Sequence, residues 1–162
     1  MKMTMDTTLS TMLFAALIGV VAGLRAMTAP AAVSWAARLG WLKLGPTNLA
    51  FFGYMYTPWI ATVLALGELV TDQLPTTPSR TVPVQFATRI FVGGLCGGAI
   101  GADAGLLVVG IVAGAVGAIA GTLGGRAVRG RLARAFGNDH PAAFIEDVIA
   151  ITAAWLIVMH VH

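Results

Sequence analysis

Four stretches of this chain, about Thr7 to Leu24, Val84 to Ile100, Ala104 to Leu123 and Ala142 to Val161, are almost wholly apolar. Each comes close to the roughly 20 residues that an α-helix needs to cross a hydrocarbon core of about 30 Å. Composition points the same way, with 57% hydrophobic residues, 10% charged residues and a mean hydropathy of +0.84, whereas about a quarter of a soluble domain is charged. The expected solvent is therefore lipid, and the expected class is an all-α polytopic transmembrane bundle. A length of 162 residues leaves room for at most about six crossings with short connections, so residues 1–162 read as one integral membrane domain.

The net charge of +3 and pI near 9.6 would suggest nucleic acid in a soluble chain. Here the basic residues sit at segment ends, which is a topology signal, and no nucleic-acid partner is expected. Cys96 is the sole cysteine, so no internal disulfide can form and a packing role is expected. Lys2 before an apolar run is also the pattern of a cleaved leader; the run is read here as the first span.

The first apolar segment ends at Arg25, and Pro30 disfavours helix at the residue before it. Pro30 to Gly40 then suits a fresh helix of about 16 Å, too short to cross alone. Trp35, Arg38, Trp41 and Lys43 favour an interfacial or re-entrant placement, with a tilted sixth crossing as the alternative. The stretch from Asn48 to about Leu74 is expected to cross with a kink at Pro58, and the proline-rich run from Leu74 to Pro83 to form a loop. Arg126 to Phe136 reads as a basic amphipathic extension ending at Gly137, with Asn138 to Pro141 opening the last helix. The resulting reading is five spans plus one short helix, or six spans if the short helix crosses.

Glycine pairs at four-residue spacing, such as Gly93 and Gly97 or Gly110 and Gly114, predict helix faces of bare backbone that pack closely. The arginines at 126, 129, 131 and 134 share a membrane face with Arg80 in either arrangement, and Lys2 joins them in the five-span one. That face is expected to be cytoplasmic and the C-terminus outside, in a bacterial inner membrane. Gly23-Leu-Arg25-Ala and Gly124-Gly-Arg126-Ala each precede a short helix and a crossing in this reading, a faint echo of an inverted repeat such as transporters use.

Gly23-Leu-Arg25-Ala, the run Gly67-Glu68-Leu-Val-Thr-Asp72 with Pro75 and Arg80, the glycine ladder, and Glu146-Asp147 resemble a family of small bacterial integral membrane proteins catalogued as domain of unknown function 4126. The resemblance covers nearly the whole chain and carries no activity.

Glu68 and Asp72 stand at i and i+4, so both carboxylates share one helix face. Two carboxylates so close raise each other's pKa and suit a shared proton; alternatively they cap or pair with Arg80 or Arg89 at the water interface. Glu146 and Asp147 lie in the first two turns of the last helix, where its dipole favours acids. Adjacent positions diverge by about 100°, so one of the two could face the bundle and partner Arg126. Arg25 and Arg89 are the cations most embedded in apolar sequence, and a charge in hydrocarbon costs at least about 2.5 kcal/mol unless paired or hydrated. Each is expected to have a carboxylate or a water-filled cavity nearby.

Arg126, Arg129, Arg131 and Arg134 diverge around a helix and suit anionic lipid headgroups. Asp103 reads as a turn residue. No cofactor or metal is expected, His140, His160 and His162 lack ligand spacing, and no catalytic motif is present. The leading reading is a small transporter or channel-like protein, a homo-oligomer, with Arg25, Glu68, Asp72, Arg89, Glu146 and Asp147 at an intramembrane site. An enzyme acting on lipid or polyprenyl phosphate and a structural or assembly protein are the alternatives.

Overall fold

The computed structural model describes residues 2–72, 82–137 and 139–161. It consists of helices α1 (Lys2–Leu24), α2 (Thr28–Arg38), α3 (Thr57–Thr71), α4 (Pro83–Asp103), α5 (Leu107–Phe136) and α6 (Asp139–His160), with a short 3₁₀ turn at Ala50–Gly53 before α3. No strand occurs among the described residues. Four helices, α1, α4, α5 and α6, are long and apolar enough to cross a membrane. Apolar side chains such as Trp59, Val63, Phe91, Val108 and Phe144 are exposed around the outside, as lipid requires and water does not.

The centre is a three-helix seam of α1, α4 and α5, set at a separation that only glycine permits. A Cβ built on Gly97 of α4 would stand 2.4 Å from the carbonyl oxygen of Gly110 in α5, and one on Gly117 would stand 2.0 Å from that of Ala16 in α1. A second core lies beside it, where Ile18, Val33, Phe52, Cys96, Ile100 and Val158 join α1, α2, α4 and α6. Cys96 is fully buried there as a packing residue.

The contacts also fix the helix directions. Ala16, Val20 and Gly23 of α1 meet Gly117, Gly121 and Thr122 of α5 in that order, so the two helices run in parallel. Gly93, Gly97 and Gly101 of α4 meet Gly114 and then Gly110 in reverse order, so α4 is antiparallel to both. The N-terminal end of α1 therefore lies at the end of the bundle opposite Arg126 to Arg134. The five-span arrangement had grouped Lys2 with those arginines; the difference arises because α2 carries the chain back instead of leaving it at the arginine end.

Pro30 falls inside the first turn of α2, and Gly40 closes that helix with a φ of 80°, as its sequence suggested. α2 does not lie along the surface: Thr28, Ala29, Ala32, Val33, Ser34 and Ala36 are buried. It runs from the level of Arg25 toward the other end, where Trp41 meets Trp155 and the Lys43 N–H donates to the Asp103 carboxylate at 2.6 Å. Asp103 is thus the last residue of α4 and a latch for the α2–α3 connection, while Gly105, with φ 71°, turns the chain into α5.

The expected crossing from Asn48 to Leu74 is shorter than anticipated. α3 begins only at Thr57 and ends at Thr71, 15 residues or about 22 Å; Leu74 lies outside the described residues. Pro58 does not kink a helix but sits in the first turn of α3, where its missing N–H leaves no bond unmade. The segment before it is irregular, with Tyr54 extended and the Thr57 hydroxyl donating to the Phe51 carbonyl at 2.7 Å. Arg126 to Phe136 extends α5, which runs 30 residues from Leu107 to Phe136 and is closed by Gly137. The two echoing segments differ accordingly, since the chain turns after Gly23-Leu24 and stays helical through Gly124-Gly125.

Candidate functional site

Between Leu24 and Thr28 the chain reverses inside the bundle, with only Arg25, Ala26 and Met27 to make the turn. A turn at that depth orphans the last carbonyls of α1 and the N–H groups ahead of α2, and lipid offers them no partners. Side chains from α3, α4 and α5 supply them. The Arg89 guanidinium donates through Nη1 to the carbonyls of Gly23 and Leu24, each at 2.8 Å. The Glu68 carboxylate accepts the N–H of Ala26 at 2.8 Å and of Met27 at 2.7 Å. A cation therefore caps a helix C-terminus and an anion the start of the next helix, the sense that both dipoles favour. The Thr122 hydroxyl adds a third contact, 3.2 Å from the Gly23 carbonyl.

Arg25 occupies the turn itself and is 0% exposed. Its guanidinium pairs with Asp72 at the end of α3 and with Asp147 in α6. Arg89 Nη2 stands 3.4 Å from Glu68 Oε1. On the far side, Arg129 of α5 pairs with Glu146 at 3.6 Å and reaches the Asp72 carbonyl at 3.5 Å. The network thus joins the α1–α2 turn to α3, α4, α5 and α6. Among the described residues, Glu68 pairs with Arg89, Asp72 and Asp147 with Arg25, and Glu146 with Arg129.

The site lies well inside the helices. Arg89 comes six residues after Pro83, about 9 Å along α4, and Asp147 eight residues after Asp139, about 12 Å along α6. Burying ions at that depth is costly unless each is paired and hydrogen-bonded; Arg25 and Arg89 are both paired with carboxylates, while Nε and Nη2 of Arg25 are buried without a hydrogen bond.

The structure brings together all six residues singled out for an intramembrane site, Arg25, Glu68, Asp72, Arg89, Glu146 and Asp147. Glu146 and Asp147 diverge as adjacent helical positions should, one toward Arg129 and the other toward Arg25. Arg126, Arg131 and Arg134 are exposed along the end of α5. Arg129 was grouped with them for headgroup contact, but its side chain is only 17% exposed and turns inward, because α5 passes α6 at that level. Arg80, proposed as a partner for the α3 carboxylates, and His162 lie outside the described residues. Thr122 and the backbone of Ala26 and Met27 had no sequence signal, since a polar group facing a turn is defined only by the fold. Among the described residues no group of three or more His, Cys, Asp or Glu side chains is arranged to hold a metal ion.

The family described as Domain of unknown function (DUF4126) matches residues 12–161. The chain belongs to this family. The DUF4126 match takes in the α1–α2 turn and every charged residue of the network. No curated protein and no solved structure matches the chain. What this DUF4126 protein does must therefore be read from its own geometry.

Proposed function

We propose that this DUF4126 protein is a small transporter or channel-like membrane protein in which the network around Arg25 is a closed gate at an intramembrane site. The supporting observation is the placement of Arg25: a guanidinium with no exposure, at a helical turn inside the bundle, held by carboxylates of two other helices. Ionisable groups at membrane depth are retained where ions, protons or substrates are handled, and helix ends meeting at mid-depth recur in transporter sites. In this reading the chain makes six strokes, with α2 and α3 the two short ones. The arginine end of α5 faces the cytoplasm of a bacterial cell, both chain ends lie outside, and the protein works as a homo-oligomer among anionic lipids.

Purified protein in liposomes is expected to move an ion or small solute down an imposed gradient, and Asp147→Asn to abolish that movement while the variant still folds. Absence of any flux under proton, sodium and potassium gradients would reject the proposal.

A structural or assembly role is the second reading. It is favoured by the closure of the network on itself, with Arg25, Arg89, Glu68 and Asp147 all engaged by protein groups. Co-purification of a fixed membrane partner, with no flux, would support it. The enzyme reading needs acids and bases turned to a substrate, and here Glu68 and Asp72 are turned to Arg89, Arg25 and the turn backbone.

A further inference from the structure

We propose that the cavity between α2, α3 and α6 binds an uncharged lipophile with one hydrogen-bonding oxygen, a hydroxyl or a carbonyl at the end of an apolar body. The cavity holds about 490 Å³, within the range of small-molecule sites. Thr28, Ala32, Ala65 and Ala154 form its buried inner wall, and Leu66, Ile151 and Trp155 are exposed at its outer edge. In a membrane that edge faces acyl chains, so the occupant enters sideways from the bilayer.

The walls set the occupant's charge. Among the described residues no charged side chain lines the cavity. An ionic end would lie there without a counter-charge, which is costly away from water. The occupant is therefore neutral.

Two hydroxyls line the cavity, and they differ. Thr62 Oγ1 is committed, accepting from the Trp35 indole N–H at 3.0 Å and donating to the Pro58 carbonyl at 2.7 Å. Thr28 is only 7% exposed, and its Oγ1 is buried without a hydrogen-bond partner. A helical threonine has two accessible χ1 wells, so this hydroxyl can turn to an occupant without breaking a bond. A hydrocarbon, such as the acyl chain of a lipid, leaves it orphaned, whereas an alcohol or a ketone pairs with it. The inference goes beyond the transport reading and does not rest on it.

The test uses the intact protein in phosphatidylcholine nanodiscs, with protein-free discs as blank. Adamantan-1-ol, 1-methyladamantane and the 1-adamantylammonium ion share one cage and differ only in the group it carries. Binding of each is followed by equilibrium dialysis and by tryptophan fluorescence, since Trp35 and Trp155 line the cavity. Saturable binding of the alcohol is expected, at least about tenfold tighter than either the hydrocarbon or the ammonium ion. Thr28→Val keeps the shape and removes the hydroxyl; it is expected to bring the alcohol down to the hydrocarbon's affinity with the unfolding temperature retained, because the lost hydroxyl had no partner in the protein. Ala31→Phe, which projects a ring into the cavity from a half-buried position, is expected to weaken binding of the alcohol at least about tenfold and serves if the first variant does not fold. Equal affinities for alcohol and hydrocarbon, an ammonium ion bound as tightly as the alcohol, a preference that survives in folded Thr28→Val, or unchanged binding in folded Ala31→Phe overturns the inference. Ion flux without binding of the alcohol removes this site and leaves the transport reading standing; binding without any flux does the reverse.

Discussion

Arg89 and Glu68, 3.4 Å apart at their closest charged atoms, hold opposite sides of one turn: Arg89 takes the carbonyls that end α1, and Glu68 takes the N–H groups that precede α2. The two side chains perform for backbone what water performs in a soluble protein. Glu68→Ala leaves two N–H groups buried without acceptors, at about 1–3 kcal/mol each. Glu68→Gln keeps an acceptor and is expected to cost less. Thermal unfolding in detergent should rank wild type above the Gln variant and that above the Ala variant; equal losses would mean that the turn does not depend on this cap.

Removing Arg25 leaves Asp72 and Asp147 facing each other without the cation between them. Arg25→Met is expected to lose about 3–5 kcal/mol. Adding Asp147→Asn should recover part of it, because the second change discharges one of the stranded groups. A double variant no better than the single one in the same unfolding assay would show that Asp147 is not coupled to Arg25.

The glycines divide sharply by environment. Gly110→Leu places a side chain where a Cβ alone would stand 2.3 Å from the Gly97 carbonyl oxygen, and a backbone neighbour cannot rotate away; loss of folded protein by size-exclusion chromatography is expected. Gly124, in the same helix, has nothing within 4 Å of its Cβ position. Gly124→Ala is therefore expected to be neutral or to stabilise by up to about 1 kcal/mol through helix propensity.

The helix directions predict sidedness. Single cysteines at the exposed positions Asp6 and His160 should react with a membrane-impermeant thiol reagent from one side, and a cysteine at Arg131 from the other. Cys96 is buried and should stay silent in all three. Labelling of Asp6→Cys together with Arg131→Cys would restore the five-span arrangement.

The sequence made the long helices legible because each satisfies a length and hydropathy condition within itself. The stop at Arg25 was legible through Pro30, and the common face of Glu68 and Asp72 through their spacing. Pro58 misled because a proline inside an apolar run reads equally as a kink or as a first turn, and only the irregular backbone at Tyr54 and Thr57 decides. The inward turn of Arg129 and the assignment of Asp147 to Arg25 were not legible. Both depend on which helices neighbour each other at one depth, and no local pattern encodes that.

The caps on the α1–α2 turn arrive late in synthesis. Glu68 follows the N–H groups it accepts by about 42 residues, and Arg89 follows the carbonyls it serves by about 66; Asp147 follows Arg25 by still more. A nascent chain holding only α1 and α2 therefore presents an uncompensated cation and open backbone to the insertion machinery. The hairpin becomes tenable in the bilayer only as α3, α4 and α6 join it, so the first turn of the chain is the last part whose charge and backbone are satisfied.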